Sequence, residues 1–202
     1  SAGSEMMCIH YYNTTTMAYD PSFSVNITSS PIDVQLADMN EDGYPDFVTI
    51  HGFSGQGLVS LTLFNGSSDV VRQDDDIPIF RWNFGQGRTS LRTLQIDDFF
   101  NRNQNTIIVS DAWNDATEIT YDSQTRQLNA NIQKFRNLTA QSVAGDIDGD
   151  GDIDFLTPKQ MGSVLVLNNQ TEWLQVSLFD VLDTMNATIA DHDNDGSVSL
   201  FT

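Results

Sequence analysis

Three stretches of the chain carry aspartates at alternating positions, a spacing that suits a cation bound through oxygen. The most regular stretch is GDIDGDGDIDFL, where Asp146, Asp148, Asp150 and Asp154 follow the pattern D-x-D-x-D-G-x-x-D with Gly151 in sixth place. Ca²⁺ takes about six to eight oxygen ligands in a flexible shell. Glycine allows the sharp reversal of such a loop because it adopts positive φ without steric cost. Without a cation, carboxylates this close together would repel one another.

The same framework occurs twice more in the chain. The first copy, in ADMNEDGYPDFVTI, is made by Asp38, Asn40, Asp42, Gly43 and Asp46. The last copy, in ADHDNDGSVSLFT, has Asp191, Asp193, Asp195 and Gly196, and Ser199 replaces the ninth-place aspartate. Three copies in one framework argue against a chance pattern.

The calcium loop between two helices is the main competing framework. That loop requires a bidentate Glu in twelfth place, where this chain has Thr49, Thr157 and Thr202. The flanking segments are short and rich in Val, Ile, Phe and Thr, which favours strands. We therefore predict calcium loops that join two β-strands, with the ninth-place aspartate as the closing ligand. An acidic surface turn without an ion is the alternative.

Composition and charge narrow the class of protein. The net charge is −19, from 28 acidic and 9 basic residues, which argues against nucleic-acid binding and against adsorption to an anionic membrane. No apolar run approaches the ~20 residues that a membrane-spanning helix needs. The single cysteine, Cys8, cannot form a disulfide within the chain. In a secreted chain a lone thiol suggests a partner elsewhere or a free thiol, but we expect Cys8 to be a small buried residue in a strand.

Acceptor triplets for N-linked glycans occur six times, which indicates an extracellular or secretory-lumen setting, secreted or at the cell surface. The asparagines are Asn13, Asn26, Asn65, Asn137, Asn169 and Asn186. A glycan requires an exposed turn or strand end, and each triplet falls at such a place in the predicted strand pattern.

The loops recur at the spacing of a repeat architecture. They begin near residues 38, 98, 146 and 191, and the second, DDFFNRNQN, lacks the Asp-Gly turn, so we expect it to keep the loop shape without an ion. A period of ~40 to 60 residues with four short strands per unit is typical of a β-propeller. We therefore predict an all-β propeller, here a partial ring of about three full blades with partial ends. The predicted units are the end of a preceding blade at 1–30, a calcium-loop blade at 31–93, a degenerate blade at 94–140, a calcium-loop blade at 141–186 and the start of another at 187–202.

These motifs resemble the FG-GAP (VCBS-like) repeats of integrin α-subunit propellers, from about Pro31 to Thr202. The segment SPIDVQLADMNEDGYPDFVTI and the glycan triplets are most similar to the group of cell-surface glycoproteins that includes the T-cell immunomodulatory protein (Linkin). The resemblance implies calcium ligands in the first and middle loops and a third ion in the last. It adds the carbonyls of Tyr44, Asp152 and Ser197 as ligands, while Ser199 departs from the family pattern. The rest of the ring is expected from sequence beyond this chain or from another chain.

Residues that signal catalysis are sparse. His10, His51 and His192 lack the spacing of a zinc site, and no G-x-S-x-G elbow occurs. We therefore expect a non-catalytic extracellular module for cell-surface adhesion, protein interaction or assembly. The alternatives are a carbohydrate-binding propeller, in which Trp82, Trp113 or Trp173 would stack on sugars, and the accessory propeller of a larger enzyme. Lone aromatic residues in strand patterns are more often part of the core.

Overall fold

The chain folds into small antiparallel β-sheets, so the predicted all-β class is confirmed. The structure is a computed structural model. It describes residues 5–10, 12–19, 23–27, 31–53, 56–64, 80–83, 91–111, 114–159, 162–170, 172–178, 187–191, 193 and 198–201. The described residues contain no helix long and apolar enough to cross a membrane.

Two short sheets precede the first acidic loop. Strand β1 (Glu5–Ile9) pairs with β4 (Phe23–Ile27), and β2 (Tyr12–Asn13) pairs with β3 (Ala18–Tyr19). Cys8 lies in β1, as expected, but the expectation that it is buried is wrong. Its side chain is exposed, with Sγ 3.6 Å from the Ser24 hydroxyl. The reason is that, among the described residues, β1 and β4 form a sheet of two strands, which covers little of its own surface.

Three four-stranded sheets follow, each an up-and-down meander of consecutive strands. The first sheet contains β5 (Asp33–Ala37), β6 (Asp46–Phe53), β7 (Gln56–Thr62) and β8 (Phe80–Asn83). The second contains β9 (Leu91–Asp97), β10 (Thr106–Asp111), β11 (Asp115–Asp122) and β12 (Gln127–Arg136). The third contains β13 (Val143–Gly145), β14 (Asp154–Lys159), β15 (Gly162–Asn168) and β16 (Trp173–Leu178). A last pair is formed by β17 (Thr188–Ala190) and β18 (Ser199–Phe201).

Four loops occupy the same place in their sheets. We call them the first (38–46), second (98–106), third (146–154) and last (191–199) loops. In every case the residue before the loop pairs with the ninth loop residue. The pairs are Ala37 with Asp46, Asp97 with Thr106, Gly145 with Asp154 and Ala190 with Ser199. The register therefore repeats even where the sequence motif does not.

Strand β10 of the second sheet is buried along its whole length, and its successive residues point to opposite sides. On β10, Ile107 and Val109 pack with Val48, Ile50 and other residues of the first sheet. The intervening Ile108 packs with Phe155 and Val166 of the third sheet. Each fully buried side chain of this size contributes about 1.5–3 kcal/mol, so the two cores hold the three sheets in a row.

The first strands of two pairs of neighbouring sheets also contact each other. Strand β5 packs against β9, and β13 packs against β17. The Gln35 side chain donates to the Leu94 carbonyl oxygen at 2.6 Å, and a Cβ added at Gly145 would overlap the Ile189 side chain. Within the described ranges the sheets form a row and do not close into a barrel or ring. The predicted unit boundaries remain predictions, and β9 begins three residues before the boundary placed at residue 94.

Candidate metal sites

The first three loops share one backbone conformation. The fourth and sixth loop residues have positive φ in each: Glu41 (61°) and Gly43 (87°), Asn101 (48°) and Asn103 (59°), Gly149 (81°) and Gly151 (91°). Glycine adopts this region freely, and Asn is enriched there among other residues. The second loop therefore keeps the shape without an Asp-Gly turn, as predicted from the sequence.

The first-place aspartate holds this shape by accepting backbone hydrogen bonds. In the first loop Asp38 accepts from the Gly43 N–H at 2.8 Å, and in the third loop Asp146 accepts from the Gly151 N–H at 3.1 Å. In the second loop Asp98 does the same with the Asn103 N–H at 2.6 Å. These N–H groups partly offset the negative charge of the aspartates, so repulsion between the carboxylates is weaker than their spacing alone indicates.

The third- and fifth-place side chains of the first and third loops follow one pattern. Asn40 and Asp148 each accept from the fifth-place N–H, at 3.1 and 3.2 Å. Asp42 accepts from the Tyr44 N–H and Asp150 from the Asp152 N–H, both at 2.9 Å. The ligand candidates predicted for these two loops thus have matching conformations.

The ninth-place aspartates, Asp46 and Asp154, are completely buried and join three segments of their sheets. Asp46 accepts from the N–H groups of Met39 and Phe64, at 2.9 and 2.8 Å. Asp154 accepts from the N–H groups of Ile147 and Asn168 at the same distances. Each carboxylate therefore ties the loop to the strand that follows it and to the end of the next one.

Burial raises the pKa of Asp46 and of Asp154 from 3.8 to about 6. The two N–H donors to each carboxylate lower the pKa, and the neighbouring aspartates raise it. A raised pKa means that the folded chain binds protons more tightly than the unfolded chain. Without calcium, the fold should therefore lose stability as the pH rises from 3.8 to about 6. A bound cation favours the ionised carboxylates, so calcium affinity should fall as the pH drops below about 6.

Urea unfolding of the calcium-free protein between pH 4.5 and 7 measures this effect. The double variant Asp46→Asn/Asp154→Asn, which cannot titrate at these positions, should show a flatter dependence than the wild type. The same slope in both proteins would contradict the assignment.

The third loop brings three carboxylates together. Ligand oxygens of Asp146, Asp148 and Asp154 lie within 4.8 Å of one another, so one cation could contact all three. The all-oxygen donor set suits Ca²⁺. Neighbouring Asp152 is also buried. Burial raises the pKa of its carboxyl group and the Asp150 carboxylate adds to the effect, while a hydrogen bond with the Gln170 side chain and the nearby Arg102 guanidinium lower the pKa. The residues present therefore fit a divalent cation.

The first loop offers a similar donor set in a looser arrangement. The Asn40 amide nitrogen lies 3.0 Å from an Asp42 carboxylate oxygen, so this amide would have to turn its oxygen inward to bind a cation. A polar cleft of about 480 Å³ separates the first and second loops, and Glu41, Asp98 and Gln104 are among its lining residues.

The second loop carries different chemistry at the places that supply ligands elsewhere. Its third and fifth places are Phe100 and Arg102, and the Arg102 guanidinium lies 4.8 Å from the centre of the Phe100 ring. Arg102 also donates to the Gln170 carbonyl oxygen at 2.9 Å. A guanidinium at the fifth place supports the expectation that this loop holds no metal ion.

The last loop is only partly described. Asp191 and Asp193 are exposed, and Ser199 begins β18 opposite Ala190. The predicted ligands Asp195 and Ser197 lie outside the described residues. So do two of the predicted glycan sites, Asn65 and Asn186, and the candidate sugar-binding residue Trp113. The third site therefore remains a prediction.

Comparisons of the chain with protein-family models, with curated proteins and with solved structures find no match.

Proposed function

We propose that the chain is a non-catalytic, extracellular calcium-binding module of FG-GAP-like β-propeller type, which serves cell-surface adhesion, protein interaction or assembly. The observation that carries the proposal is the repeated loop. Three loops share one backbone, and in the third the carboxylates of Asp146, Asp148 and Asp154 converge. Calcium in such loops would stiffen the turns between strands and so fix the surface offered to a partner.

The propeller part of the proposal is supported by the arrangement of the sheets. Each four-stranded meander resembles one blade, and first strands lie side by side in two places, β5 beside β9 and β13 beside β17. The first sheet also exposes Ile32, Val34 and Leu36 in alternation along one face. In a ring this row of apolar side chains would pack against the preceding blade.

A non-catalytic role is supported by the environment of His51, one of the few residues with catalytic potential. His51 is completely buried in the first sheet. Its Nε2 lies 2.8 Å from the Thr49 hydroxyl, which in turn lies 2.5 Å from the Ser60 hydroxyl. A substrate would have to enter the core to reach this group, which is the environment of a structural histidine.

Cell adhesion to the immobilised chain tests the proposed role. We expect cells to be retained in millimolar calcium, and retention to be lost both in chelator and for the double variant Asp42→Ala/Asp148→Ala. Glu172→Ala, an exposed carboxylate outside the loops, is the control and should retain cells. Equal retention in calcium, in chelator and by the double variant would argue against a calcium-dependent adhesion module.

Carbohydrate binding is the second candidate, and the cleft between the first and second loops favours it. Its lining of carboxylate and amide side chains could bind sugar hydroxyls beside a bound calcium. Trp173 is not free to stack on a sugar, because it packs in the core with its ring centre 4.5 Å from that of Phe135. A glycan array that gives calcium-dependent signals, lost in Glu41→Ala and Gln104→Ala, would favour this function over protein adhesion.

The glycan sites differ in accessibility, which predicts their use in a secretory host. Asn169 is exposed in the turn between β15 and β16. Asn137 is half-buried, its amide nitrogen donates to the Gln175 side chain at 3.1 Å, and the next residue, Leu138, is completely buried. We expect Asn169 to carry a glycan and Asn137 to remain unmodified. Glycopeptide mass spectrometry checks this, and full occupancy at Asn137 with none at Asn169 would contradict it.

A further inference from the structure

We infer that the second loop, which is not expected to bind an ion, positions the cation ligands of the loops on both sides of it. The inference rests on the proposed calcium sites in the first and third loops. Its basis is a set of hydrogen bonds that run from the second loop to each neighbour. The residues that make them would set calcium affinity without touching the ion.

Toward the first loop, the contact is made by Asn105. Its amide nitrogen donates to the carbonyl oxygen of Asp38 at 2.8 Å. Asp38 supplies the first carboxylate of that loop, and this bond fixes the peptide group that follows it. Asn105 is therefore a positioning residue for the first site, comparable to the hydrogen-bonded groups that orient ligands around other metal ions.

Toward the third loop, the contact is made by the carbonyl oxygen of Phe99. It accepts from the Ile153 N–H at 3.0 Å and from the Asn168 side chain at 2.6 Å. The Asn168 N–H donates in turn to the Asp154 carboxylate at 2.8 Å. Asn168 is nearly fully buried. This chain of bonds connects the second loop to the closing ligand of the third.

The second loop can act as a template because it is held without a metal ion. Arg102 lies over the Phe100 ring and donates to the carbonyl oxygen of Gln170 in the turn between β15 and β16, so the guanidinium supplies a positive charge from the chain itself. Asp98 and the positive φ angles at Asn101 and Asn103 maintain the loop backbone. The shape that orients its neighbours is therefore present before calcium arrives, which lowers the ordering cost of binding.

Calcium titration calorimetry of single-site backgrounds tests the inference. In the Asp148→Ala background, which disables the third loop, Asn105→Ala should weaken calcium binding about 10-fold. In the Asp42→Ala background, which disables the first loop, Asn105→Ala should leave the affinity unchanged. Asn168→Ala should give the reverse pattern. The last loop is unaltered in both backgrounds, and Asn129→Ala, at an exposed asparagine on β12, is the matched control.

Three outcomes can be told apart. Loss of affinity restricted to the neighbouring loop supports the inference. If the wild type binds calcium and Asn105→Ala leaves the affinity in the Asp148→Ala background unchanged, the inference is overturned while the proposed calcium sites stand. If the wild type binds no calcium, both fail. The melting temperature of each variant in calcium-free buffer separates a change in fold from a change in calcium affinity. If Asn168→Ala does not fold, the titrations of Asn105→Ala in the two backgrounds still decide the question.

Discussion

Replacing Asp154 with alanine should lower the free energy of unfolding by about 3–5 kcal/mol, whether or not calcium is present. The carboxylate is completely buried and accepts from the N–H groups of Ile147 and Asn168. A buried donor that loses its partner costs about 1–3 kcal/mol. This substitution leaves the buried Asn168 N–H and the part-buried Ile147 N–H without their acceptor, in addition to a small cavity. The aspartate is therefore structural as well as a candidate ligand.

Urea unfolding in millimolar calcium and in calcium-free buffer measures the effect. Asp146→Ala serves as a comparison, because its carboxylate is only half-buried and caps the loop rather than the sheet. A loss below about 1 kcal/mol for Asp154→Ala, or a loss seen only with calcium, would show that the bonds to Ile147 and Asn168 contribute little.

Replacing Asp148 with alanine should lower stability in calcium and have little effect without it. Its side chain is exposed and accepts one long bond, from the Asp150 N–H at 3.2 Å. Extracellular calcium modules bind with dissociation constants of roughly 0.1–1 mM. At about 1 mM calcium, one lost site then corresponds to about 0.4–1.4 kcal/mol. Urea unfolding in millimolar calcium and in calcium-free buffer measures this loss of stability, and Glu172→Ala, which removes one negative charge as well, is the control. Equal losses in both buffers would mean that Asp148 is not a ligand.

The loop shape could be predicted from the sequence because it depends on local residues. Alternating oxygen ligands, a turn residue that tolerates positive φ and a following apolar strand all lie within about ten positions. For this reason the prediction extends to the second loop, where Asn103 replaces glycine and adopts a φ of 59°. Strand pairing is less local: β1 pairs with β4, while β2 pairs with β3.

The contacts between loops could not be predicted because they join residues far apart in the chain. Asn105 bonds to a residue 67 positions earlier, and Asn168 to one 69 positions earlier. They depend on how the sheets stack, which the pattern within a single strand does not specify. The structural role of Asp154 had a visible signal: a charged residue between Ile153 and Phe155 occupies a core position of a strand, and a buried carboxylate needs donors.

Thermal unfolding of the chain in millimolar calcium, in millimolar magnesium and in calcium-free buffer tests the central claim most directly. If the acidic loops are calcium sites that stiffen the sheets, the melting temperature rises with calcium and does not rise with magnesium. The rise should be reduced in Asp148→Ala. An unchanged melting temperature in all three buffers would mean that the loops are acidic turns held by their own backbone hydrogen bonds, and would contradict the account of a calcium-binding module.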